Sequence, residues 1–357
     1  MTKFEEYAAG LADSEAVYIT SPVTRRYATD FESSDGIVFA TNKGIELFLD
    51  MRYFEMAKVA KSRGRLPGSV TVREYGEARK YITDAIDNGI GKLIFEDRRT
   101  TCRALELLKE VYPKAEFAGA GDSLEKLRWV KTEAELSRIK GAQALTSAAF
   151  GHILDFIRPG ITEKDVALEL EFYMRKNGAE NAAFETICVS GKKTSMPHGR
   201  PEDVILTPNS FITMDFGAML DGYCSDMTRT VCLGQADDRQ RLVYETVLKA
   251  QETGIAAAKA QKTGKEIDKA ARDVIDAAGF GKYFTHSLGH SVGIEIHEAP
   301  NFSPRSEEII PEGAVVTVEP GIYIEGEFGV RIEDMVHITA DGCEDLTPVD
   351  KKLLEIF

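Results

Sequence analysis

The chain has 357 residues, with 44 Lys and Arg against 58 Asp and Glu, and a formal net charge of −14. That balance argues against nucleic acid or an anionic membrane surface as a partner, because both would repel it. At 43% hydrophobic and 29% charged, the composition is that of an ordinary globular protein long enough for two domains.

Five cysteines, an odd number at irregular spacing, give no disulfide framework. The opening MTKFEEYAAGLADSE lacks the basic start and apolar core of a secretory leader, and no apolar run approaches the roughly 18 residues of a membrane span. The expected location is a reducing cytoplasm.

In chain order, Val17 to Thr20, Ile37 to Thr41, Ile45 to Asp50 and Lys92 to Glu96 are predicted strands. Val72 to Asn88 and Thr101 to Val111 carry apolar residues near a 3.6 spacing and are predicted helices. This alternation predicts an α/β domain. Arg25 and Arg26 read as a solvated basic pair, with a substrate or subunit contact as the alternative, and Asp50 to Tyr53 as a strand-end turn. Breakers and small residues from Tyr112-Pro113 to Gly119-Ala120-Gly121 set the domain boundary near residue 123, giving domains 1-123 and 124-357.

Four helices are predicted beyond that boundary. They are Thr132 to Ile157, closed by Pro159-Gly160; one capped by Thr162 and running to Asn177-Gly178; Asp238 to Gln261; and one opened by the Thr263-x-x-Glu266 capping box and ending near Gly279. Helices combined with antiparallel hairpins give an α+β domain. His198 stands in the loop Met196-Pro197-His198-Gly199-Arg200, where a single histidine is usually a surface residue.

Two hairpins carry the chemistry. Phe211 to Val231 turns at Asp221-Gly222, a tight-turn pair. A two-residue turn there pairs Leu220 with Tyr223 and sets Asp226 opposite Gly217. Asp215 and Asp226 then share a face as diagonal neighbours roughly 7 Å apart; a turn slipped back to Leu220-Asp221 sets them directly opposite. Val315 to Thr339 has two strand-like runs around Glu325-Gly326-Glu327. A symmetric turn there sets Glu319 opposite Glu333, with Arg331 on the same face. Facing carboxylates among apolar neighbours repel unless a cation lies between them; the competing reading is acids on a solvated sheet face. Between the hairpins, THSLGHSVGIEIHEAP supplies His286, His290 and His297. Four carboxylates with histidine suit Mn²⁺, Co²⁺, Zn²⁺ or Fe²⁺ rather than a thiolate metal, and two divalent ions would neutralise their charge.

The pieces MDFGAMLDGYCSDMTRT, HSLGHSVGIEIHE, TVEPGIY and GVRIEDMV resemble the pita-bread metallopeptidases. VEPGIY and VRIED, with a domain ahead of them, resemble the branch of Xaa-Pro aminopeptidase (aminopeptidase P) and Xaa-Pro dipeptidase (prolidase). SPVTRRYATDFESSDG is similar to the start of the creatinase-like N-terminal domain of that branch. The resemblance implies a creatinase-like α/β domain followed by an α+β pita-bread catalytic domain, helices outside a curved sheet. It also implies an internal duplication, visible in the sequence only as the two acid hairpins.

For the site, the resemblance implies two divalent ions, Mn²⁺ first, with Co²⁺, Zn²⁺ or Fe²⁺ as alternatives. Asp226 and Glu333 would bridge them, with Asp215 on one ion and His290 and Glu319 on the other. It implies hydrolysis of the bond between an N-terminal residue and proline by a hydroxide bridging the ions, Glu319 being the general base and His198 and His297 stabilising the oxyanion. Arg331 would orient the carboxylates from behind. The implied partners are peptides with proline second and another copy of the chain. A catalytically inactive pita-bread protein that binds peptides or partners is the alternative, against which the full set of five ligand positions argues.

His286, His152 and His337 read as structural, and Tyr223, Thr228 and Thr230 as candidate donors behind the ligands. Ser291 stands where much of the family has glycine. Asn301 stands where some prolidases have an arginine that meets a substrate carboxylate, with Arg305 four residues on. That leans the expectation toward Xaa-Pro-Yaa over Xaa-Pro.

Overall fold

In the computed structural model, which describes residues 1–356, the chain divides into a unit of Met1–Leu127 and a second from Arg128 onward. The first unit runs α1 (Lys3–Ala9), β1 (Glu15–Ile19), α2 (Pro22–Thr29), β2 (Ile37–Thr41), β3 (Gly44–Leu49), α3 (Met51–Ser62), β4 (Val70–Glu74), α4 (Ala78–Asp87), β5 (Lys92–Phe95), α5 (Cys102–Val111), β6 (Glu116–Gly119) and α6 (Ser123–Lys126). Its single mixed sheet has the order β4-β3-β2-β1-β5-β6. Alternate residues of β1 feed two cores, Val17 and Ile19 on one face and Ala16 and Tyr18 on the other, as a sheet covered on both sides requires.

Three expectations are corrected in this unit. The first residues of the predicted helix Val72 to Asn88 are strand: Val70–Glu74 pairs in parallel with β3. The β-branched run Val70-Thr71-Val72 fits a pleated edge better than a helical turn, and the helix starts only at Ala78. Asp50 is no strand-end turn but the N-cap of α3, accepting from the Arg52 amide. Arg25 is not solvated. It is 1% exposed and donates to Ser33 Oγ at 3.2 Å and to the Gly36 carbonyl at 3.1 Å, while Arg26 reaches Glu32 at 2.9 Å.

Capping boxes set the helices of the second unit. The side chains of Thr132, Thr162, Asp237 and Thr263 each accept from the amide three residues on, and the cap residues' own amides donate in return to the side-chain oxygens of Glu135, Asp165, Gln240 and Glu266. They open α7 (Glu133–Phe156), α8 (Glu163–Lys176), α9 (Asp238–Ala257) and α10 (Gly264–Ala277). Helix α9 stops four residues before the expected Gln261. Ala258 is extended, and the amides of Ala260 and Gln261 bond to Thr339 and Ile310 instead of continuing the helix.

The strands follow as β7 (Asn181–Ala182), β8 (Ile187–Ser190), β9 (Ser210–Phe216), β10 (Ala218–Leu220), β11 (Tyr223–Cys224), β12 (Met227–Leu233), β13 (Gly289–Ser291), β14 (Glu298–Phe302), β15 (Val315–Val318), β16 (Gly321–Ile324), β17 (Phe328–Arg331), β18 (Asp334–Ile338), β19 (Cys343–Asp345) and β20 (Glu355–Ile356). Two sheets dominate, ordered β20-β12-β9-β8 and β14-β13-β15-β18-β19. One core lies between α7, α8 and the first sheet, the other between α9, α10 and the second.

The two halves of this unit also share a bonding pattern at the starts of α8 and α10. Thr162 bridges to Ile205 and Thr263 to Ile309. The next two amides of each helix then bond back to the same kind of loop, Glu163 to Val204 and Lys164 to Glu202 in one half, Gly264 to Glu308 and Lys265 to Ser306 in the other. Among the described residues, no helix is long and apolar enough to cross a membrane.

Candidate metal centre

The first hairpin keeps one register throughout. Leu220 faces Tyr223 in β10–β11, and Thr228 faces Asp215 in β9–β12. Asp226 therefore lies diagonal to Asp215 on the same face, as the two-residue turn predicts. In the second hairpin Val318 faces Asp334 and Gly321 faces Arg331, which sets Glu319 opposite Glu333. Asp226, Glu319 and Glu333 occupy the gaps between consecutive strands, where the ladder is interrupted.

Both hairpins and the histidine segment open onto one cavity of about 610 Å³. Asp215, Asp226, His290, Glu319, Glu333, Arg331, His198 and His297 all line it. Donor atoms of Asp226, His290 and Glu333 lie within 4.8 Å of one another, a cluster that could hold a metal ion. His290 Nε2 stands 3.5 Å from Asp226 Oδ2 and 3.4 Å from Glu319 Oε1. Its Nδ1 lies 3.2 Å from the Ser291 carbonyl, which can only accept, so Nδ1 carries the proton and Nε2 presents a lone pair to two carboxylates. Lone pairs converging in this way call for a cation among them.

Other observations fit a metal. Asp226 and Glu333 are 4% and 2% exposed. Asp226 Oδ1 and Asp215 Oδ1 are buried without a hydrogen-bond partner among the described residues, an arrangement rare in proteins unless an ion or water completes it. Burial, with Glu333 and Asp215 close by, drives the Asp226 carboxyl well up. Burial, with Glu319 and Asp215, does the same to Glu333. Burial carries Glu319 to about 8 despite the opposing Arg331, and pushes His290 down to about 4.

Behind the acids runs a buried hydrogen-bond network. Arg331, 3% exposed, donates from Nη2 to Asp215 Oδ2 at 2.7 Å, from Nε to Thr228 Oγ1 at 3.0 Å, and from Nη1 to the Tyr323 hydroxyl at 2.9 Å and the Pro197 carbonyl at 3.3 Å. Burial alone would lower its pKa, but Tyr323, Asp215 and Glu319 outweigh it and hold the guanidinium charged. Thr228 in turn donates to Glu333 Oε2 at 2.7 Å. Thr230 donates to the Arg331 carbonyl, whereas Tyr223 turns away to Glu135.

Tyr323 and His286 received no chemical role from the sequence, yet both stand here. His286 lines the cavity; its Nδ1 faces the Ser287 carbonyl and its Nε2 the Tyr323 hydroxyl at 2.9 Å. The pattern that could have found Tyr323 is Gly321. A Cβ there would overlap the Tyr323 hydroxyl, so this glycine is the space into which the ring folds. Ser291, in the place of the expected glycine, is buried and donates to the Pro300 carbonyl at 2.6 Å. Asn301 faces His290 across β13–β14; with the oxygen and nitrogen of its amide exchanged, the assignment its surroundings favour, the nitrogen donates to the carbonyls of Glu298 at 2.9 Å and Pro300 at 3.3 Å. Arg305 lies in an adjoining depression that shares His286 and Ser287 with the cavity.

These shifts predict an unusual pH response of the metal-free chain. Glu319, raised to about 8, holds a proton when folded that the unfolded chain releases near 4.5. Its contribution to stability is complete below that value and is lost as pH rises through 8. His286 and His290, lowered to about 4, act the other way, but only below their unfolded value of about 6.5. Between pH 6.5 and 8 the carboxylates act alone. The stability of the chelated protein is therefore expected to fall across that window, by up to about 1.4 kcal/mol per pH unit for each excess proton and with a matching fall in Tm, and added Mn²⁺ is expected to reverse the fall. A flat Tm in chelator from pH 6.5 to 8.5 would contradict it.

Comparison with known proteins follows the same division of the chain. The sequence profile of Metallopeptidase family M24 matches residues 137–340, and that of the Creatinase/Prolidase N-terminal domain matches residues 9–130. An uncharacterized peptidase, YqhT, of Bacillus subtilis is 41% identical over 95% of both chains. A solved Xaa-Pro dipeptidase from Bacillus anthracis superimposes with a TM-score of 0.91 at 38% identity, over 99% of this chain and 98% of its own. A solved X-Pro aminopeptidase from Thermotoga maritima gives a TM-score of 0.91 at 35% identity over 99% of both.

Proposed function

The chain belongs to metallopeptidase family M24, and from that premise we propose that it hydrolyses the bond between an N-terminal residue and proline. The observation that carries the proposal is the acid–histidine cluster lining the cavity, in which one carboxylate oxygen each of Asp215 and Asp226 is buried with no hydrogen-bond partner among the described residues. Two positions for ions are supported. Asp226, His290, Glu319 and Glu333 surround one; Asp215 Oδ1, outside the three-residue cluster, points to a second, which Asp226 and Glu333 would share. Manganese is our first assignment among the divalent ions this donor set suits. Ions held there would activate a water and polarise the scissile carbonyl.

The remaining work falls to the chain's own side chains. Glu319, beside His290 on the cavity wall, takes the proton released by the attacking water. His297, whose ring packs edge-on against His290 at 4.3 Å and whose pKa is lowered chiefly by desolvation, donates to the oxygen on which charge develops. His198 does the same from the loop above. The prolyl nitrogen leaves from a tertiary amide that has no N–H to bind, so recognition falls on groups beyond it.

Substrate length follows from Asn301. Its side chain is uncharged, and with the amide turned so that its nitrogen donates to the Glu298 and Pro300 carbonyls, what it can offer a substrate is an acceptor oxygen. That oxygen suits the N–H that follows proline in Xaa-Pro-Yaa and repels the carboxylate of Xaa-Pro. Arg200, the cation on this cavity wall outside the metal network, is already 3.2 Å from Glu185. An assay of Xaa-Pro, Xaa-Pro-Yaa and Xaa-Ala-Yaa with Mn²⁺, Co²⁺ or Zn²⁺ tests both claims. The expected order of kcat/KM is Xaa-Pro-Yaa above Xaa-Pro, with Xaa-Ala-Yaa poor. A tenfold advantage for the dipeptide, about 1.4 kcal/mol, would reverse the length assignment, and no cleavage before proline with any ion would end the proposal.

A further inference from the structure

Glu163 is fully buried and is not among the residues that line the cavity. It is the first residue of α8, where the helix dipole favours an anion. Its Oε1 accepts from the Ser190 amide at 2.7 Å and the Ser190 hydroxyl at 2.9 Å. Its Oε2 accepts from Lys193 Nζ at 2.9 Å and the Glu202 amide at 3.3 Å. Lys193 Nζ donates further to the Arg200 carbonyl at 2.6 Å and to Glu202 Oε2 at 2.8 Å. One carboxylate thus fastens both ends of the segment from Ser190 to Glu202, with its lysine fastening the middle.

That segment carries Pro197, His198 and Arg200 on the cavity wall. His198 is exposed, and no side-chain hydrogen bond holds its ring among the described residues. The backbone of the segment therefore sets where the imidazole stands. The other half of the duplication has no such device. There α10 starts with Gly264, and a Cβ would overlap the Asn301 carbonyl, so that loop closes directly on the helix backbone.

We infer that Glu163 and Lys193 form a clamp that positions His198 over the cavity, acting on the reaction only through it. The kinetic half of this inference rests on the peptidase reading; the structural half does not. Glu163→Gln keeps the shape but turns an amide N–H₂ toward Lys193 Nζ and the Glu202 amide, donor against donor, and leaves the lysine without its buried counter-charge.

Hydrogen–deuterium exchange of Glu163→Gln and Lys193→Met is expected to accelerate across residues 191–202 and to stay unchanged over both acid hairpins. Bound metal should be retained while kcat/KM for an Xaa-Pro-Yaa peptide falls about tenfold or more. In a His198→Ala background the same substitutions should cost less than about twofold further, since sites that act as a unit are not additive. Wild-type exchange across 191–202, or a full tenfold loss on top of His198→Ala, would overturn the clamp. If Glu163→Gln does not fold, Lys193→Met decides the matter, because it leaves the Ser190 bonds in place. A wild type inactive on every Xaa-Pro peptide would overturn the peptidase reading alone, and the exchange measurement would then decide the clamp.

Discussion

Asp226→Asn and Glu333→Gln are each expected to give a folded protein that holds fewer than two ions and has lost about 1,000-fold or more in kcat/KM, about 4 kcal/mol of transition-state stabilisation. Each substitution preserves shape and removes one negative charge from a place where burial and neighbouring acids already disfavour it. The metal-free variants should consequently melt higher than the metal-free wild type, because a neutral amide does not repel the remaining carboxylates. With Mn²⁺ added, the order should invert, since only the wild type gains stability from tight binding. A residue that merely packed would show neither the rise nor the inversion. Asp221→Asn, at the exposed turn of the same hairpin with a φ of 47° that asparagine tolerates, is the control and should change kcat/KM by less than about twofold. Two tightly held ions in either Asp226→Asn or Glu333→Gln would mean that the shared ligands are misassigned.

The hairpins were legible because strand pairing is arithmetic. Once Asp221-Gly222 and Gly326 are taken as turns, the partner of every residue follows by counting, and the two acid pairs fall into register without any knowledge of packing. The capping boxes were legible for a similar reason, their signal being contained in four residues. What stayed hidden was whatever depends on a distant element. Tyr323 reaches His286 across 37 positions and Arg331 reaches Pro197 across 134, and no local pattern marks such contacts. Buried charges were the hardest. Arg25, Glu163 and Glu298 carry side chains that in a sequence most often mean solvent. Glu298 in fact sits between Arg128 at 2.6 Å and Lys131 at 2.9 Å. The end of the strand Val70–Glu74, from Val72 on, was misread for the opposite reason: Val72 fits the helical spacing of the residues after it by chance, and the parallel neighbour that makes it a strand lies outside the window.

Arg331→Lys is expected to weaken metal binding by about 10- to 100-fold and to lower kcat/KM by a similar factor, although it keeps the charge. Two linked reasons support this. The guanidinium holds Asp215, Thr228, Tyr323 and the Pro197 carbonyl at once, a fork that a single ammonium cannot reproduce. It also enters the charge count of the site. Four carboxylates alone carry −4, which two divalent ions cancel, but with Arg331 among them the acids and guanidinium total −3, so the arginine does part of what a cation would do. Arg331→Met removes that charge as well. It leaves the partly buried Asp215 without its counter-ion, a loss of up to about 3–5 kcal/mol, the cost when one member of a fully buried pair is deleted. Because Arg331 opposes the rise of the Glu319 carboxyl above its ordinary range, the metal-free Arg331→Met protein should hold its proton to higher pH than the wild type, and its Tm should continue to fall beyond pH 8. Titration calorimetry with Mn²⁺, kcat/KM and Tm against pH in chelator separate these effects. Wild-type metal affinity in Arg331→Lys would show that the fork does not orient the ligands, and an unchanged pH profile in Arg331→Met would show that the charge does not reach them.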